Sequence, residues 1–222
     1  MKEIIKIPLF ATPVYKATIN PLNYKKEKIV KTILNNFKKA KYRNNWDDNN
    51  ISSSYLHHPL DDFNNKKFKL PDISSVIPLY KTFFETAFQD LKFKEGIEKK
   101  FNYQIVNYTV CDEDNFMRRH NHMRSDFSCI HYIYFEPHHS CTMFYHPGDY
   151  LMLHLKDVRK SFYDKLNKNL LENSCYHQNF QINVKEDDIV MFPGYLHHEI
   201  PKSKNKYKKP RITVVLNIDF ND

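Results

Sequence analysis

What the chain has little of narrows its class before any motif is read. No stretch approaches the roughly 18 consecutive apolar residues of a membrane-spanning helix, which excludes a helical integral membrane protein. The four cysteines, Cys111, Cys129, Cys141 and Cys175, show no CxxC spacing, and the N-terminus has no apolar core of a secretory signal. A reduced, cytoplasmic setting is therefore expected, the host cytoplasm if the chain is viral. Glycine is nearly missing, 3 residues in 222, while Lys, Asn, Tyr, Phe and Ile abound, a skew that points to an AT-rich coding sequence rather than a functional device. Acidic residues fall short of basic ones, 26 against 34, for a net charge of +8. Such a balance suits nucleic acid or a membrane surface, but the lysines are scattered over helix faces and loops, and solvated lysine is the simpler reading.

What is present is enough to bury one core: 41% hydrophobic and 15% aromatic residues. Residues 1–222 are read as one domain. Ile4 to Ala17 is β-branched, aromatic and broken by Pro8 and Pro13, as in an edge strand. From Tyr24 to Ala40, Ile29, Ile33, Leu34 and Phe37 recur at helical spacing among lysines. Tyr42 to Leu70, rich in Asn, Asp and Ser and containing Trp46, reads as a long irregular connection suited to a lid. A second helix is expected from Ser74 to Leu91, capped by Ser74 or Ser75, with Pro78 in its first turn. The period then changes to two, in Tyr103 to Val110, Phe127 to Phe135, Thr142 to Tyr145, Gln181 to Val184, Ile189 to Phe192 and Arg211 to Phe220. Helices in the first half and strands in the second predict an α+β domain, helices backing a β-sandwich or barrel. Lys202 to Lys209 is expected to be a mobile hairpin loop.

Of the 12 histidines, three can converge on a metal. His120 and His122 lie one residue apart, so on extended chain they share a face. His198, after the apolar strand Ile189 to Phe192 and the turn Pro193-Gly194, supplies a third imidazole from a second strand. Three neutral imidazoles suit iron, zinc, copper or nickel and leave coordination positions open. An HxH pair by itself is also a common surface feature. A site using 2-oxoglutarate needs in addition a cation and hydroxyls for the far carboxylate, and Arg211, Thr213 and Tyr132 offer them on strands. Against this, Arg211 is also placed to pair with Asp219 or Glu199, and Tyr132 to be a plain core tyrosine. His131, His146 and His177 are candidate pocket-facing groups; His57, His58, His138 and His139 read as loop residues.

These residues resemble the 2-oxoglutarate and Fe(II)-dependent oxygenase superfamily, in the HxH…H variant of its prolyl-hydroxylase-like members found in marine bacteria and phages. Leu9 to Tyr15 is similar to that branch's LFxTPxY; His120-Asn121-His122 with Ser128 to Ile133 to HxH…SGxYYV; Phe192 to Ile200 to FPSWLxHxV; Arg211 to Asn217 to RISxSFN. The resemblance implies a double-stranded β-helix, of jelly-roll or cupin-like type, with N-terminal helices packed on its larger sheet. It implies iron on His120, His122 and His198, the last chosen over His197 because it stands two residues before Ile200. It also implies 2-oxoglutarate held by Arg211, Tyr132 and Thr213, with succinate and CO2 released as a substrate is hydroxylated. His122 stands where the wider superfamily has a carboxylate, and Asp126 is the alternative supplier. Expected partners are O2 and a small-molecule or protein side-chain substrate. Two rivals stay open: a cupin-like three-histidine enzyme without 2-oxoglutarate, and a non-catalytic or virion-associated β-sandwich whose basic loop meets an acidic polymer.

Overall fold

The computed structural model describes residues 11–39, 52–54, 70–95 and 100–220. The expected strand at Ile4 to Ala17 is described only in part, as β1 (Tyr15–Thr18). Most of the 42–70 connection, with Trp46, His57 and His58, lies outside the described residues. Its described piece, β2 (Ser52–Ser54), is a strand on the edge of a sheet rather than irregular chain.

The helix α1 (Lys26–Lys39) forms where the spacing predicted it, and buries Ile29 and Ile33 completely. The helix α2 (Ile77–Phe88) takes Pro78 in its first turn and buries Tyr80, Phe84, Ala87 and Phe88. The expected serine caps do not form. Ser74 bonds to Asp72 instead, Ser75 accepts from the Lys25 N–H, and no side chain caps α2.

The strands β3 (Phe101–Cys111), β4 (Met117–His120), β5 (Phe127–Tyr134), β6 (Met143–Tyr145), β7 (Asn179–Gln181), β8 (Asp188–Pro193), β9 (His198–Ile200) and β10 (Arg211–Phe220) complete the framework. The larger antiparallel sheet runs β1-β8-β5-β10-β3-β2 and the smaller β4-β9-β6-β7. Side chains alternate across each strand. On β10, Ile212, Val214, Leu216 and Ile218 face α1 and α2, while Arg211, Thr213 and Asn217 face the smaller sheet. Between the sheets Ile130, Val190, Phe192 and Phe144 interdigitate, with the Phe144 and Phe192 rings 5.0 Å apart.

Two expectations are corrected here. The 149–176 region is helical, with α3 (Asp149–Val158), α4 (Lys160–Tyr163) and a 3-10 turn at Leu171–Tyr176, where strands and polar turns were expected. No residue of α3 is buried, so that helix adds nothing to the core that a reading for buried strands would register. The Lys202 to Lys209 segment is not a hairpin, because it joins β9 of one sheet to β10 of the other. Tyr207 anchors it, its phenol accepting from the Ser140 N–H at 2.7 Å.

Behind the larger sheet lies a polar cluster. Asp187, in the left-handed region at φ 67°, accepts from Tyr24 at 2.5 Å and pairs with Lys26 at 2.6 Å, tying α1 to the turn before β8. His131 on β5 is fully buried beside it, its Nδ1 on the Tyr80 hydroxyl at 2.8 Å. It therefore faces the helices and not the space between the sheets. Burial, then the nearby Lys26 charge, pushes its pKa down to about 3, so the 3.9 Å approach to Asp187 joins a neutral imidazole to a carboxylate already held by Lys26. With the folded value below the unfolded one of about 6.5, the unfolded chain binds more protons in that interval. Stability contributed by this group is complete above about pH 6.5 and is lost as pH falls toward 3, by at most about 1.4 kcal/mol per pH unit. Urea unfolding across this window is expected to show a shallower acid slope in His131→Phe; an unchanged slope would contradict the assignment.

Candidate metal centre

His120 ends β4 and His198 begins β9, and the register pairs these two residues directly across the smaller sheet. Their rings stand 4.2 Å apart. His122 lies past the end of β4, not on extended strand as the HxH spacing suggested. Its N–H donates to the Gly194 carbonyl at 2.7 Å, which fixes the loop that brings its ring 5.3 Å from that of His198. One ligand nitrogen from each of the three histidines lies within 4.8 Å of the others.

Backbone and amide oxygens set the tautomer of every ring. Nδ1 of His120 meets the Arg118 carbonyl at 2.8 Å, Nδ1 of His122 the Asn217 Oδ1 at 2.9 Å, and Nδ1 of His198 the Leu196 carbonyl at 3.0 Å. Carbonyl oxygens only accept, so each Nδ1 carries the proton and each lone pair is on Nε2. Burial keeps all three neutral: it pushes His120 down to about 4 and lowers His122 and His198, the last well below the ordinary value. Neutral imidazoles with oriented lone pairs are what a metal ion requires.

A second group, Glu136, His138 and His139, meets the same distance limit. It differs in chemistry. His139 accepts the Glu136 N–H on Nδ1 and donates from Nε2 to the Lys209 carbonyl, so both its nitrogens are engaged by backbone. It is a buried brace for the basic segment rather than the plain loop residue expected. Asp126, the alternative carboxylate, accepts from the Phe220 N–H at 2.8 Å and stands outside the histidine group. His197 accepts from Asn121, and His146 from the Gly148 N–H.

Between the sheets, Arg211 is 1% exposed. Its Nη2 donates to Thr142 Oγ1 at 3.2 Å, whereas Nε and Nη1 have no partner among the described residues. Neither Asp219 nor Glu199 pairs with it. Its other neighbours are neutral: burial pushes the Cys111 thiol up to about 11 and raises the Cys141 thiol and the Tyr132 phenol. Tyr132 presents its ring 5.2 Å from the guanidinium and donates its hydroxyl to Thr142 at 2.8 Å. A buried guanidinium without a counter-charge is costly, and the space between the sheets is thereby suited to an anion. Thr213 shares this face and is buried, yet forms no hydrogen bond to Arg211 or Tyr132. Thr142 does, and the sequence reading missed it. Asn217 was missed also, although its place six residues after Arg211, on the same strand face, was a usable signal.

Gly194 shows how tightly the site is held. A Cβ there would lie 2.0 Å from the Ser125 carbonyl oxygen and 2.6 Å from that of His122, both backbone. Gly194→Ala must therefore push the 122–125 loop away. We expect about 1–3 kcal/mol of destabilisation, seen as a fall in Tm of several degrees, together with weaker metal binding. Wild-type Tm and metal affinity in this variant would show that the loop does not position His122.

A sequence-family model described as "Putative 2OG-Fe(II) oxygenase" matches residues 107–217. No curated protein matches the sequence. Among solved structures, a prolyl-4-hydroxylase from Pseudomonas putida aligns at TM-score 0.52 and 9% identity, over 96% of each chain. A prolyl hydroxylase from Trichoplax adhaerens, in complex with a hypoxia inducible factor peptide fragment, aligns at 0.49 and 9%, over 93% of this chain and 83% of that one. HygX from Streptomyces hygroscopicus, with nickel and 2-oxoglutarate bound, aligns at 0.47 and 8%, over 93% and 83% respectively. The first similarity shows that helices and antiparallel sheets are arranged here as in that hydroxylase.

Proposed function

The chain belongs to the 2OG-Fe(II) oxygenase family, whose cofactors are Fe(II) and 2-oxoglutarate, and on that premise we propose that it is a dioxygenase that hydroxylates its substrate. The two sheets are then a double-stranded β-helix, and the chain one oxygenase domain. His120, His122 and His198 hold the iron through Nε2. Arg211, with Tyr132 and Thr142 beside it and Thr213 on the same face, holds the far carboxylate of 2-oxoglutarate.

The observation that carries this reading is Arg211: a buried guanidinium with two unpartnered nitrogens and only neutral neighbours among the described residues. A three-histidine enzyme that used no 2-oxoglutarate would have no use for a desolvated cation there. The same residue argues against a non-catalytic module, since nothing in a binding scaffold repays its burial.

When bound, the iron and 2-oxoglutarate supply the oxidising chemistry, in which O2 converts 2-oxoglutarate to succinate and CO2 and one oxygen atom enters a substrate C–H bond. The residues of the chain orient and exclude water. The carbonyls of Arg118 and Leu196 and the Asn217 amide retain the Nδ1 protons, so the ring planes cannot turn away from the metal. Phe192 packs 4.8 Å from the His198 ring and Phe144 6.1 Å from it, drying the inner side of the site. The substrate is a small molecule or a protein side chain.

Anaerobic addition of Fe(II) and 2-oxoglutarate is expected to produce a weak visible charge-transfer band, and O2 then to yield succinate. No band with the intact protein, or one unchanged in both His122→Ala and Arg211→Ala, would sink the proposal.

A further inference from the structure

On β6, Phe144 points between the sheets toward His198, so the alternation directs Met143 to the opposite, outer face of the smaller sheet. There the helical 149–176 segment does not close down on the strands. A cavity of about 560 Å³ separates them, floored by Met143 and its cross-strand partner Gln181 and walled by Met152 and Tyr163. It contains none of the three histidines, and one lining residue, Cys141, also neighbours Arg211. The volume is that of a small-molecule site.

The lining is selective in charge. The segment that covers the cavity carries Asp149, Asp157, Asp164 and Glu172, and none of the four lines it. The charged side chains that do are Lys156 and Lys168, and neither forms a salt bridge among the described residues. Both lie close enough to His177 that their charges, after burial, help lower its pKa. His177 also lines the cavity, and its Nε2 is enclosed with no hydrogen-bonding partner among the described residues. Five carboxamides, Asn169, Gln178, Asn179, Gln181 and Asn183, complete the polar lining, each offering a donor beside an acceptor.

From these features we propose that the cavity is a second ligand site, separate from the metal centre, for a free nucleoside monophosphate. Two unpaired ammonium groups suit the phosphate. The carboxamides match the adjacent donors and acceptors of a base edge, the rings of Tyr163 and Tyr176 offer it stacking surface, and the unpartnered His177 Nε2 meets a sugar hydroxyl.

The test is calorimetric titration of the full chain with AMP, GMP, CMP and UMP, beside inorganic phosphate, the corresponding nucleosides and a short single-stranded oligonucleotide. At least one monophosphate is expected to bind in the micromolar to submillimolar range, more tightly than phosphate or its nucleoside. Affinity should fall about tenfold or more in K156Q and in K168Q, both exposed positions that leave the fold intact. The same titration should be unchanged in Arg211→Ala and on adding 2-oxoglutarate, which keeps this outcome apart from that of the metal centre. The proposal is overturned if no monophosphate binds, if phosphate alone binds as well, or if the lysine variants bind like wild type. It is overturned also if the oligonucleotide binds more tightly than every monophosphate, or if 2-oxoglutarate displaces the ligand.

Discussion

Replacing Arg211 by methionine is expected to move two quantities in opposite directions. Affinity for 2-oxoglutarate should fall by roughly 30-fold to several thousand-fold, the effect of removing one partner of a desolvated charge pair worth about 2–5 kcal/mol. The unliganded protein, by contrast, should be no less stable than wild type and is expected to gain in Tm. Among the described residues the guanidinium, 1% exposed, leaves two nitrogens unsatisfied and has no anionic neighbour, so an apolar side chain of similar volume relieves a desolvation penalty. Binding is read by titration of the anaerobic iron-loaded protein, and stability by thermal unfolding without ligand. Undiminished 2-oxoglutarate affinity would remove Arg211 from the co-substrate site. A large loss of stability would show that its charge serves the fold.

The second large effect concerns the metal and is graded by distance from it. His198→Ala is expected to abolish detectable Fe(II) binding and all succinate formation. Asn217→Leu, which keeps every imidazole but removes the acceptor that fixes the His122 tautomer, should weaken metal binding by about 10- to 100-fold. His197→Ala should bind metal nearly as wild type, because His197 bonds to Asn121 and stands outside the histidine group. Equal losses in the His197 and His198 variants would mean that the wrong member of the pair has been assigned.

Much of the framework was legible in local periodicity. The α1 and α2 faces, the long strands β3, β5 and β10, and the shared face of Arg211 and Thr213 each follow from a spacing that holds within one element. The α3 and α4 helices were not legible, because they stand off the outside of the smaller sheet with apolar residues such as Tyr150, Leu151 and Val158 exposed. Nor was the shift of the predicted Gln181 to Val184 strand to Asn179–Gln181, whose bounds are set by pairing with β6. Thr142 escaped notice because a threonine near a strand start has many ordinary explanations, and only the arrival of Arg211 and Tyr132 at its hydroxyl makes it part of a site.

The sequence by itself determined which chemistry the chain can carry: three imidazoles in the order HxH…H, one arginine at the start of a mostly apolar strand, and side-chain alternation that aims Arg211, Thr213 and Asn217 the same way. Tertiary structure decided whether these meet. The β4–β9 register sets His198 opposite His120, the contact between His122 and Gly194 turns the second histidine inward from beyond its strand, and three carbonyl oxygens choose the nitrogen that holds each lone pair. It also decided that, among the described residues, no carboxylate reaches Arg211. Strand periodicity is a local property of the backbone, whereas register, carbonyl direction and the lack of a counter-charge depend on segments far apart in the chain, brought together only when the two sheets pack.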